Sequence, residues 1–158
     1  MTEDTRATAF GRQLIEVHDW LRTQLGTIRK SLETRTPPEL SDLRLHCLTF
    51  CAAITRHHTG EDAVAFPELT AQVPELAAVV AQLRQDHDMV TTLIADFQVI
   101  LEDPATTPEA AARHLDGLAA ILESHFAFEE RKIAVALDGL RNPGWGPNPD
   151  FLSATREP

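Results

Sequence analysis

Apolar and polar residues alternate with a helical period in four stretches of this chain. Leu14, His18, Leu21, Leu25, Ile28 and Leu32 recur at spacings of three and four, which predicts a first helix over about residues 8–33. Thr36-Pro37-Pro38-Glu39 reads as a helix start. Thr serves as N-cap, the prolines are tolerated in a first turn, and a Glu follows three residues after the Thr. The second helix is expected to run from there to about Phe66, where Pro67 ends it. Val73-Pro74-Glu75 opens a third helix with Leu76, Val80, Leu83, His87, Val90, Ile94 and Phe97 on its inner face, broken at Glu102-Asp103-Pro104. Thr107-Pro108-Glu109 starts a fourth, which carries Leu115, Leu118, Leu122, His125, Glu129, Ile133 and Leu137. Four long amphipathic helices with short connections predict an all-α fold. Over residues 1–140 this is an antiparallel up-down-up-down four-helix bundle. Residues 141–158 have no period and are dense in Pro and Gly. They are expected to form an irregular tail that Trp145, Phe151 and Leu152 dock onto the bundle.

Several of the inward positions hold residues that a core does not otherwise want. His57-x-x-x-Glu61 recurs as His125-x-x-x-Glu129, and the second copy stands 68 residues after the first at both positions, 57 to 125 and 61 to 129. His18 and His87 head the two halves at nearly the same offset, 69 residues. His46 with His114, Ala52 with Ala120, Asp19 with Asp88, and Glu61-Asp62 with Glu129-Glu130 extend the register, so the chain reads as two copies of one helical hairpin. A His and a Glu four residues apart lie one above the other on a helix, and each pair aims an imidazole and a carboxylate at one point. Helix lengths place His18, His57, Glu61, His87, His125 and Glu129 at about one height of the bundle.

Composition narrows the use of such a cluster. With 158 residues, 43% of them hydrophobic and 24% charged, the chain suits one folded domain. A net charge of −10 argues against nucleic acid, which needs a basic face. No stretch approaches the roughly 20 apolar residues that span a bilayer, so no membrane association is expected and the protein is placed in the cytoplasm. Cys47 and Cys51, one helical turn apart, are expected to be small buried side chains in a reducing compartment.

Four imidazoles and two carboxylates in an apolar core cost several kcal/mol per unpaired charge. Two metals, each with two His and both bridged by the two glutamates, use the groups better than one crowded ion. Imidazole with carboxylate suits iron, zinc, manganese or copper. A bundle site with bridging glutamates favours iron by analogy with the carboxylate di-iron bundles, with zinc or manganese as alternatives.

On these residues the chain resembles the hemerythrin-like, HHE cation-binding family. The likeness covers most of residues 12–138 and rests on His18, His57-His58-Thr59-Gly60-Glu61-Asp62 with Phe66-Pro67 following, Asp86-His87, and His125-Phe126-Ala127-Phe128-Glu129-Glu130. The resemblance implies two Fe ions with an oxo or hydroxo bridge in the oxidised form. The oxygen carriers of the family have a fifth His on the third helix, one turn from the first. Here Leu83 and Thr91 flank His87 at that spacing, and the chain has no Tyr to supply a phenolate. Four His and two bridging carboxylates are expected to leave open positions on both metals. That favours a catalase- or peroxidase-like oxidoreductase acting on H2O2, O2 or NO, with an external electron donor, as a monomer or homodimer. The alternatives are a sensor of oxygen, nitric oxide, redox state or iron, and a structural or storage metal-binding bundle.

The remaining residues are expected to do less. His58 points about 100° around the helix from His57 and is assigned to the surface or to an outer layer of the site. Asp62 and Glu130 are placed outside the ligand set. His46 and His114 lie about 16 Å from the motifs and are read as boundary or surface residues. Gly60, unfavourable inside a helix by up to about 1 kcal/mol, reads equally as a place where a neighbour approaches closely and as neutral drift. Phe126 and Phe128 are expected to wall the site or pack on the first helix.

Overall fold

The computed structural model describes residues 9–34 and 40–153. Among them every regular element is helical. Helix α1 spans Phe10–Thr34, α2 Leu40–Gly60, α3 Phe66–Gln72, α4 Ala77–Glu102 and α5 Pro108–Asp138. The expected helix start at Thr36-Pro37-Pro38-Glu39 lies outside the described residues. That of α5 is present: Thr107 Oγ1 accepts from the Ala110 N–H at 3.1 Å, and Pro108 occupies the first turn, where its missing donor costs nothing. A single 3-10 turn, Pro74–Leu76, precedes α4.

Pro67 does not end the second helix. Glu61–Ala65 forms a π-turn in which the Phe66 N–H reaches back to the Glu61 carbonyl, and α3 continues the same course to Gln72. A proline breaks a helix by lacking an N–H and by crowding the carbonyl four residues earlier. Pro67 falls where the hydrogen-bond ladder returns from the wider π pattern to the α pattern, so the break is absorbed there. The bulge lies on Glu61 itself.

The long helices pack as a bundle around one core, with Leu14, Leu21 and Ile28 of α1 and Leu115, Leu118 and Leu122 of α5 among its buried members. Polar pairs along the α1–α5 seam show the sense of the two helices. The Gly11 N–H donates to Asp138 Oδ1, His18 meets Glu130, Arg22 meets Glu123 and Arg29 meets Asp116, so the two helices run in opposite senses. His18 with His57 and Gln24 with His46 give the same result for α1 and α2. Gly11 allows a close approach of α1 and α5, since a Cβ there would collide with the Ala134 carbonyl.

Beyond α5, positive φ angles at Asn142, Gly144 and Gly146 turn the chain back onto the bundle. Phe151 and Leu152, in a 3-10 turn Asp150–Leu152, are buried there. The Trp145 ring meets Phe10 and Phe151 edge-on, at centroid distances of 5.4 and 5.6 Å. No helix among the described residues is long and apolar enough to cross a membrane.

Candidate metal centre

His18 on α1, His57 on α2, Glu61 in the π-turn, His87 on α4, and His125 and Glu129 on α5 come together in the core. A seventh group, His58, joins them, and none of the seven is more than 4% exposed. Within each of four overlapping subsets the ligand atoms lie within 4.8 Å of one another: His58, His87 and His125; His18, His57 and Glu129; His57, His58 and Glu61; Glu61, His87 and Glu129. The six residues singled out from the sequence converge.

The two carboxylates stand between two groups of imidazoles. Glu129 Oε1 is 3.4 Å from His18 Nε2, while its Oε2 is 3.2 Å from His125 Nε2 and 3.8 Å from His87 Nε2. Glu61 Oε1 is 3.3 Å from His57 Nε2 and 3.5 Å from His87 Nε2. His18 Nε2 and His57 Nε2 are 3.1 Å apart. Nε2 of His58, His87 and His125, Oε1 of Glu61 and both oxygens of Glu129 are buried without a hydrogen-bond partner. Six orphaned lone-pair atoms in one core cluster would each cost a few kcal/mol unless a cation satisfies them. The donor set therefore fits a metal site.

The opposite ring nitrogens are held from behind. His18 Nδ1 lies 2.8 Å from Glu130 Oε2, His87 Nδ1 2.8 Å from Asp62 Oδ1 and His125 Nδ1 3.2 Å from Asp86 Oδ2. His57 Nδ1 donates to the Phe151 carbonyl at 2.6 Å. Such contacts fix a ring's orientation and keep the proton on the outer nitrogen, which leaves Nε2 free to bind a cation. Asp62 and Glu130 therefore serve as outer acceptors.

Electrostatics follow from burial. Burial pushes the His57 imidazole down to about 3, with His18 adding to the fall. Burial also holds His58 well below its ordinary value, with His87, His57 and His125 contributing. On His18 and His87 burial acts downward too, but the carboxylates around them, Glu129 with Glu130 and Asp62 with Glu129, outweigh it and the net shift is upward. Burial and the Glu129 charge raise the Glu61 carboxyl well above its usual range. Burial acts upward on Glu129 as well, but Glu61 and the imidazoles of His125, His18 and His87 hold it well below. Without cations the cluster keeps a proton on one carboxyl and a charge on the other.

Of the two places expected for His58, the structure rules out the surface. Its ring stacks on His87 at 3.8 Å and meets His125 edge-on at 5.0 Å, inside the cluster. A turn of 100° from His57 did not carry it to the surface because the buried stripe of α2 is wide enough for adjacent pairs. Phe50 with Cys51 and Ala53 with Ile54 are buried ahead of His57 with His58. That spacing of paired apolar residues was the signal available.

Gly60 faces the tail, since a Cβ there would collide with Phe151. Phe126 stacks on His18 at 4.2 Å, and Phe66 lies over His87 at 5.5 Å. Phe128 instead lines an open groove of about 720 Å³ between α4 and α5, beside Asp86, Arg131 and Lys132. His46 pairs with Gln24 away from the cluster, and His114 is exposed. Cys47 and Cys51 are free and buried, and burial pushes their thiols up to about 12 and about 11, which leaves them unreactive.

Compared with known proteins, residues 11–137 match the family model of the hemerythrin HHE cation binding domain. Neither a search of curated proteins nor one of solved structures gave a match.

Proposed function

The chain belongs to the hemerythrin HHE cation-binding family, and on that premise we propose a non-haem di-iron oxidoreductase that acts on peroxide, dioxygen or nitric oxide. The observation that carries this reading is the convergence of six buried, unpartnered lone-pair atoms with the Nε2 atoms of His18 and His57. In it, His58, His87 and His125 would hold one iron and His18 and His57 the other, with Glu61 and Glu129 available to both. When bound, iron supplies electrons and a coordination position for the oxidant.

The residues around the cluster do the rest. Phe126 and Phe66 wall the imidazoles, and the near-complete burial of all seven groups excludes bulky organic substrates in favour of molecules with two non-hydrogen atoms. Glu130, Asp62 and Asp86, with side chains 20%, 32% and 23% exposed, connect three ligand imidazoles to solvent and can pass protons along those contacts. Electrons come from an external donor. The same reading takes the long helices as an up-down-up-down antiparallel bundle, which the opposed α1–α5 and α1–α2 pairs support. The free, buried Cys47 and Cys51 suit the cytoplasm.

His58 favours a second reading, reversible oxygen binding or sensing, because a fifth imidazole brings the donor set to that of a carrier. One experiment separates the two. Protein loaded with iron is assayed for metal per chain and for oxygen evolved from, or reductant consumed with, added peroxide. Two irons with repeated turnover support the oxidoreductase. A reversible oxygen-dependent absorption band without turnover selects the carrier or sensor, and a failure to hold stoichiometric iron removes both.

A further inference from the structure

The structure assigns to the C-terminal segment, residues 145–152, a place in the metal centre: its Phe151 carbonyl positions His57, and its docking and metal occupancy depend on each other. This rests on the dinuclear reading given above.

The internal repeat shows why the segment is needed. His18 of the first half is held by Glu130 of the second, and His87 of the second half by Asp62 of the first; the two pairs are counterparts at the offsets of 69 and 68 residues, 18 to 87 and 62 to 130. His125 is held by Asp86. The counterpart of His125 is His57, and the residue that corresponds to Asp86 is Val17, which has no acceptor. The duplicated scaffold is thus one carboxylate short. The Phe151 carbonyl, 2.6 Å from His57 Nδ1, stands in its place.

The docking surface departs from the repeat at the same spot. Gly60 corresponds to Phe128, and only the absence of a Cβ at 60 admits Phe151. Gln13 Nε2 donates to the Pro147 carbonyl at 2.8 Å, whereas its counterpart Gln82 donates to Asp86. Phe10 takes the Trp145 ring, while its counterpart Val79 lines the open groove with Gln82, Asp86 and Phe128. Equivalent grooves therefore have different fates. One is filled by the chain's own tail, down to a ligand imidazole, and the other is open.

A contact that orients a ligand ring favours metal, and by linkage the metal favours the contact to the same degree. The test uses full-length chains. Backbone hydrogen exchange at residues 145–153 is compared with and without metal, and the affinity of each metal step is measured by chelator competition. Wild type is expected to protect the segment more strongly when loaded. Gly60→Ala, which drives Phe151 off, is expected to weaken one metal step by about tenfold to a hundredfold while sparing the other, and to abolish the protection difference. Trp145→Ala, remote from the ligands, undocks the segment from outside and is expected to act in the same direction. Adding Val17→Asp to Gly60→Ala restores a carboxylate at the position equivalent to Asp86. It is expected to recover the weakened step without restoring tail protection, which a purely packing role would not allow. Equal exchange with and without metal, or wild-type affinities at both steps in Gly60→Ala and Trp145→Ala, would overturn the proposal. A wild-type chain that binds fewer than two metals would overturn the dinuclear reading instead.

Discussion

Replacing Glu130 by Gln changes one charge at a defined distance from a cluster imidazole. Glu130 Oε2 lies 2.8 Å from His18 Nδ1 and 2.8 Å from Arg22 Nη2, with the side chain 20% exposed. An amide oxygen in the same place still accepts from the ring, so the variant removes charge and keeps geometry. Hydrogen bonds to charged groups contribute about 1.5–3 kcal/mol against about 0.5–1.5 for neutral ones, which puts the loss near 1–2 kcal/mol. That is roughly a fivefold to thirtyfold weaker hold on the metal that His18 serves. Arg22 keeps Asp19 and Glu123, so the seam between α1 and α5 stays closed. Asp62→Asn is the same change on the other half, at His87 Nδ1, and its greater exposure of 32% places it toward the lower end of that range. Because the two imidazoles are assigned to different metals, each variant should weaken a different binding step, and the double variant should add them within about 0.5 kcal/mol. Stepwise chelator competition under anaerobic conditions, with metal counted by mass spectrometry, reads both steps. Affinities within threefold of wild type in both single variants would refute the role of the outer carboxylates. Both variants acting on one step would refute the division of ligands.

Three further outcomes follow from the geometry. His58→Ala should lose at least about tenfold in affinity at the step served by His87 and His125, and unchanged binding would make His58 a packing residue. In metal-free protein, His57 stays neutral down to about 3 while its unfolded counterpart takes up a proton below about 6.5. Stability on this account is complete above 6.5 and falls by about 1.4 kcal/mol per pH unit on the way down to about 3. Urea unfolding in chelator should show a shallower fall in His57→Gln, and identical slopes would rule out a buried neutral ring. Gly11→Ala should cost about 1–3 kcal/mol by forcing α1 away from the Ala134 carbonyl, which scanning calorimetry would register as a drop of several degrees; an unchanged midpoint would mean that the seam yields freely.

Much of the fold and the site was legible in residue order because both depend on local periodicity. The helical spacing of Leu14 through Leu32 and of Leu115 through Leu137 set the buried faces, and the repeat of His57 with Glu61 at His125 with Glu129 marked one level of those faces as chemical. Trp145, Phe151 and Leu152 marked a docking tail for the same reason, since large apolar groups seek burial wherever the chain can deliver them. The surface alternative for His58 fails because a helical wheel gives direction and not the width of the surface that neighbours cover. The π-turn at Glu61–Ala65 was invisible since Pro67 offers the same signal for a stop and for a bulge that absorbs it.

The sequence by itself determined the helices, their inward faces, the six His and Glu residues of the cluster at one height and the family. Periodicity and spacing act over a few residues, and the chain carries them wherever it goes. Only the tertiary structure decided that His58 completes the cluster, that each half lends its acid to the other half's histidine, and that Phe151 holds His57 in place of the carboxylate that Val17 cannot supply. Those contacts join residues 25 to 112 positions apart, and they exist only once packing has set the distance and angle between helices.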